Sequence, residues 1–144
     1  MHLGSYFNIS GQQTIAGTKS QLCSRRYLTV DQTGISVGTI NEFPVDVTKE
    51  FELQKDTPTI DNCFLLISTT DPSKAVLDTR PQALQWLGFF HHPESGIHVQ
   101  VFSTEPVFQF YTGDHLDVSV SPSYGPRTGF CVEPGRFIKV VNQP

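Results

Sequence analysis

Hydrophobic and polar residues alternate with a period of two along much of this chain. In Val107-Phe108-Gln109-Phe110-Tyr111 the two phenylalanines share one face of a strand, while Val107, Gln109 and Tyr111 share the other. Comparable runs at 5–10, 27–30, 35–40, 63–68, 75–78, 84–90, 97–103, 107–112 and 129–133 predict strands. Turn clusters separate them: DQTG at 31–34, TTDPS at 69–73, HPESG at 92–96 and SPSYGP at 121–126. Helical periodicity is nearly absent. Only 45–55 fits it, and Pro44 and Pro58 on either side make an irregular excursion the better reading. The pattern predicts an all-β, antiparallel, sandwich-like fold.

Composition narrows the function classes. The chain has 144 residues, the size of one domain or of part of a larger one. Hydrophobic residues make up 38% and charged residues 17%, which argues against disorder. A net charge of -4 without any basic stripe argues against nucleic acid and against an anionic membrane surface as partners. The longest apolar runs fall short of a bilayer span, and no signal-peptide pattern precedes 5–10, so a cytoplasmic location is expected. Cys23, Cys63 and Cys131 form no C-x-x-C pair. They read as small buried hydrophobes in a reducing compartment.

Candidate chemistry lies in the strands. In TGFCVEPGRF (128–137), Phe130 and Val132 share one face, and Cys131 and Glu133 the other. Pro134 and Gly135 are expected to end that strand. A carboxylate inside so apolar a segment is costly unless it is paired or used. With Gln109 and Tyr111 it describes a polar, aromatic-lined surface of the kind that binds sugars, although an amide between phenylalanines also suits a solvated strand face. Asp61-Asn62 reads as the turn opening the next apolar run. His91 and His92 would point to opposite faces and cannot chelate one ion, and His98 and His115 have no partner at ligand spacing, so no metal is expected.

Three motifs in order carry a resemblance to the aldose 1-epimerase (galactose mutarotase) family. Ser5-Tyr6-Phe7-Asn8-Ile9 resembles that family's N-H-S-Y-F-N-L, and Thr104 to Gly113 resembles T-E-P-x-x-Q-x-Y-T-G. Phe130, Cys131, Glu133, Val141 and Asn142 resemble the closing F-C-x-E…V-N, and Asp61-Asn62-Cys63-Phe64 is similar to an Asp-His-x-Phe segment between them. LDTRPQ (77–82) and FCVEPGRF are most similar to fungal members, which are often fused behind a UDP-galactose 4-epimerase domain.

The resemblance implies that residues 1–144 are the C-terminal portion of an aldose 1-epimerase domain, part of the family's larger β-supersandwich. It implies a cytoplasmic isomerase of hexose metabolism that needs no cofactor and exchanges the α and β anomers of D-galactose or D-glucose. Glu133 would be the base. Gln109 and Asp61 would hold sugar hydroxyls, with Tyr111 or Phe110 shaping the pocket. The family's acid is a His directly before the Ser-Tyr-Phe-Asn segment. Here Gly4 stands there, and His2, two residues earlier, is the nearest imidazole. The family's first half also supplies an Arg, a second His and several strands outside this chain. A sugar-binding module without catalysis and a truncated inactive remnant are therefore the alternatives. Exposed sheet edges, and with them self-association or another partner, are expected where that half would pack.

Overall fold

The computed structural model describes residues 5–66, 78–119 and 124–136. Among the described residues ten strands form two antiparallel sheets: β1 Tyr6–Phe7, β2 Thr18–Leu22, β3 Arg26–Val30, β4 Ser36–Glu42, β5 Phe51–Leu53, β6 Asp61–Leu65, β7 Gln85–His91, β8 His98–Ser103, β9 Val107–Tyr111 and β10 Phe130–Gly135. The larger sheet has the order β1-β10-β9-β6-β3-β4, and the smaller β5-β2-β7-β8. No described residue is helical, and no described helix is long and apolar enough to cross a membrane. The chain is all-β, as the alternation predicts.

The phenylalanine faces meet between the sheets. Phe64, Phe108, Phe110 and Phe130 of the larger sheet are fully buried, together with Phe90 and Leu87 of the smaller. Phe90 packs at 4.7 Å from Phe130 and 5.5 Å from Phe110, centroid to centroid. Each such side chain contributes about 1.5–3 kcal/mol of transfer free energy. The three central strands β6, β9 and β10 are therefore anchored from one side, which leaves their other face to present chemistry.

Several expectations change in detail. β2 has the sequence TKSQL, which alternates without looking apolar because Thr18 and Ser20 take inward places beside Leu22. The 45–55 segment holds β5 rather than a helix; Leu22 N–H donates to Val47 O at 2.8 Å, and β5 pairs with β2. The expected strand at 5–10 shrinks to Tyr6–Phe7, because Asn8 Oδ1 accepts from Ser10 N–H at 3.0 Å and turns the chain. β10 runs past the expected bound at 133 and ends with Pro134, which pairs with Phe108, and Gly135, which pairs with Val107. Among the described residues its other neighbour, β1, pairs with Phe130 and Cys131. Of the expected strand at 75–78 only Asp78 is described, and it is not in a strand.

Candidate functional site

Residues directly opposite one another on neighbouring strands share a face. The register therefore writes three rows on the side of the larger sheet away from the phenylalanines. Asp61, Tyr111, Cys131 and Tyr6 make the first; Leu28, Cys63, Gln109 and Glu133 the second; Leu65, Val107 and Gly135 the third. The surface passes from aromatic and acidic, through amide and carboxylate, to apolar. Leu28, Leu65 and Val107 are buried there as a small second core with Ile40 and Cys63.

Gln109, Asp61 and Glu133, far apart in sequence, thus lie side by side. Gln109 Nε2 donates to Asp61 Oδ1 at 2.7 Å, which fixes the amide and leaves its carbonyl oxygen as a defined acceptor. Glu133 is directly opposite Gln109 and is half-buried, which resolves the cost of placing a carboxylate in this segment: the side chain looks outward while Phe130 and Val132 supply the core. Phe110, by contrast, shapes no part of this surface. It is fully buried on the opposite face against Phe90.

Tyr111 belongs to the surface, and its hydroxyl accepts from the His115 N–H at 2.7 Å. Tyr6 stands edge-on to it at 6.3 Å and an interplanar angle of 77°. Both phenols ionise less readily than usual, chiefly through burial. For Tyr6 the charges of Cys131, Tyr111, Glu133 and Asp61 add to this; for Tyr111 the His115 N–H opposes it, and Asp61 and Asp114 add to it. Burial, with Glu133 nearby, pushes the Cys131 thiol up to about 11. The surface is electronegative and keeps both phenols protonated at neutral pH, as hydroxyl donors. In the sequence only its place in the Ser5–Ile9 motif points to Tyr6. His2, Val141 and Asn142 lie outside the described residues.

The histidines are arranged otherwise. His92 is buried, with Nε2 3.1 Å from Ala16 O. His91 lies across from His98 on β8, a closeness that their spacing in sequence does not reveal, and contacts Glu50 at 3.2 Å. Phe89, His91, His92, Pro93, Gly96 and His98 line an open hollow on the smaller sheet. Among the described residues no three His, Cys, Asp or Glu side chains are grouped to hold a metal ion.

Comparison with known proteins adds a lineage to this geometry. The family described as aldose 1-epimerase matches residues 3–144. The chain is 39% identical over 140 residues to the bifunctional protein gal10 of Schizosaccharomyces pombe, covering 96% of this chain and 19% of that protein. With the galactose mutarotase of Rattus norvegicus it shares 31% over 151 residues, covering 97% and 42%. Among solved structures, a GalM/aldose epimerase homologue from C. elegans superimposes with a TM-score of 0.70 at 20% identity, over 91% of this chain and 40% of that one; this likeness shows the fold. The chain spans about a fifth to two fifths of the length of these relatives.

Proposed function

The chain belongs to the aldose 1-epimerase family, and from that membership we propose that it serves the exchange of α and β anomers of a hexose such as D-galactose or D-glucose. The observation that carries this reading is the row in which Glu133 stands opposite Gln109, with the Gln109 amide bonded to Asp61. A galactose mutarotase among the relatives favours D-galactose as the first substrate to test.

In this reading Glu133 takes the proton of the C1 hydroxyl. The electron pair left on that oxygen forms the C1 carbonyl as the bond from C1 to the ring oxygen breaks. A proton donor delivers a proton to the ring oxygen, the C1–C2 bond turns, and the steps reverse on the other carbonyl face. Asp61 and Gln109 hold hydroxyls so that C1 stays beside Glu133, since alignment is worth as much as the base itself. His2, the imidazole nearest the place of the family's acid, is the candidate for that donor. The reaction is that of a cytoplasmic enzyme of hexose metabolism.

Gly4, in the place of the family's His, favours a second reading as a sugar-binding module. Polarimetry of freshly dissolved α-D-galactose separates the two. Acceleration by the wild-type chain that disappears in Glu133→Gln supports the isomerase. Binding of galactose without acceleration supports the module. Neither acceleration nor binding leaves the inactive remnant.

A further inference from the structure

Arg127 is a cation with 4% of its surface exposed, and neither the fold nor the proposed reaction accounts for it. Its backbone sits at φ 57°, a region that side chains other than glycine rarely occupy. Its guanidinium donates from Nη1 to Asp114 Oδ1 at 2.9 Å and to Pro58 O at 3.1 Å, and from Nη2 to Gln54 O at 2.9 Å. Asp114 in turn accepts from the hydroxyls of Thr112 and Thr59. Thr112 completes the chain of contacts: Ile60 N–H donates to its Oγ1 at 2.9 Å, and its own N–H donates to Ile60 O at 2.9 Å.

These links converge on two residues. Ile60 precedes Asp61, the first residue of β6, and Thr112 follows Tyr111, the last of β9. The loop beyond Asp114 supplies the His115 N–H that fixes the Tyr111 hydroxyl. Arg127 N–H also donates to Gly113 O at 2.8 Å, closing the loop on itself. Burial works against the Asp114 charge, but the Thr112 hydroxyl, Arg127 and Thr59 outweigh it and hold its carboxyl below the usual carboxylate range.

We propose that the buried Arg127–Asp114 pair is a positioning device for the sugar-facing corner, setting the ends of β6 and β9 so that Asp61 engages the Gln109 amide and Tyr111 presents its ring. The planar guanidinium reaches Asp114 and the backbone carbonyls of Pro58, Gln54 and Thr57 at once, which a lysine ammonium cannot do from one position. Only the sugar arm of the test rests on the function proposed above.

The test compares Arg127→Lys with wild type and with Asp61→Ala, reading the Gln109 side-chain amide signals by NMR, the melting temperature, and the D-galactose dissociation constant. The Gln109 signals are assigned by their absence in Gln109→Ala. Positioning predicts that Arg127→Lys, still folded, moves those signals toward their place in Asp61→Ala. It also predicts galactose binding weaker by roughly tenfold, the order of one oriented hydrogen bond to a charged group. Adding Arg127→Lys to Asp61→Ala should weaken binding little further, since the contact that the pair positions is already gone. A lower melting temperature with the Gln109 signals unmoved and affinity unchanged would overturn the proposal, leaving the pair a staple of the fold. If wild type binds no galactose, the function proposed above fails, and the Gln109 signals still decide this point. Should Arg127→Lys not fold, Thr59→Val, an exposed change that removes one bond to Asp114, must move the same signals in the same direction; no movement overturns it.

Discussion

The two sheets carry similar chemistry on their outer faces and use it differently. On the smaller sheet the register places Glu52, Lys19, His91 and His98 in one row, and Gln21, Phe89 and Gln100 in the next. On the larger sheet the corresponding rows hold Asp61, Tyr111, Cys131 and Tyr6, then Cys63, Gln109 and Glu133. Aromatics, amides and carboxylates occur in both. On the smaller sheet the carboxylates face basic side chains: Lys19 pairs with Glu52, and His91 contacts Glu50. On the larger sheet the acidic groups Asp61 and Glu133 flank one amide, and the strand ends behind them are held by the buried Arg127–Asp114 pair. Oppositely charged neighbours satisfy one another. Carboxylates set on either side of an oriented amide present groups of the kind that a polyhydroxylated molecule engages.

The largest effect that could break this contrast is catalytic. Glu133→Gln keeps the side chain's size but removes its ability to accept a proton at neutral pH. Mutarotation of D-galactose should fall by ~10²–10⁴, the usual yield of a general base, with near-unchanged circular dichroism. Retained activity would remove Glu133 from the reaction.

Much of this contrast could be read from the sequence, for a physical reason. A strand repeats every two residues, so Phe108 and Phe110 fixed the core side of β9 and thereby the outward side of Gln109. Phe130 and Val132 did the same for Glu133. What stayed hidden depends on contacts between distant segments. TKSQL gave no apolar signal because Thr18 and Ser20 fill small inward places. Phe51–Leu53 is too short for its periodicity to speak. Nothing in the sequence ties Arg127 to Asp114, since only the fold buries one against the other. The pairing of His91 with His98 likewise appears only once β7 and β8 are in register.

Next in size is a backbone effect at the same corner. Gly113 has φ +74°, and a Cβ there would lie 2.2 Å from the Gly129 carbonyl oxygen. Gly113→Ala should destabilise the chain by about 1–3 kcal/mol, through both the conformation and the displaced backbone. Thermal or urea unfolding measures it. The matching control is Gly96→Ala in the turn between β7 and β8, at φ +71° with nothing within 4 Å of the added carbon, which isolates the conformational part. Equal losses at the two positions would mean that the close approach at Gly113 contributes nothing.

A smaller effect distinguishes the corner by pH. Because the Asp114 carboxyl lies below its ordinary value in the folded chain, its contribution to stability is present above the unfolded value of 3.8 and is lost as pH falls through the folded one. Wild type should therefore lose stability on acidification below about pH 4 more steeply than Asp114→Asn, whose amide does not titrate. Urea midpoints between pH 6 and pH 3 test this. Parallel curves for the two proteins would mean that Asp114 does not carry the pairing charge.

The smallest effect is expected on the smaller sheet, and its smallness is what gives it value. The His91 side chain is 32% exposed and that of Glu50 60%, so solvent screens their contact and the two chains give up rotamer freedom to make it. Exposed pairs of this kind contribute roughly 0–1 kcal/mol. Glu50→Gln and His91→Gln should each leave the melting free energy within about 0.5 kcal/mol of wild type, and should leave the galactose response unchanged. That outcome separates two surfaces that share side-chain types and differ in how those side chains are arranged. If either change weakened galactose binding as much as Asp61→Ala, the hollow around Phe89 would be the sugar-binding surface. The Gln109–Asp61 bond would then reduce to a cross-strand tie between β6 and β9.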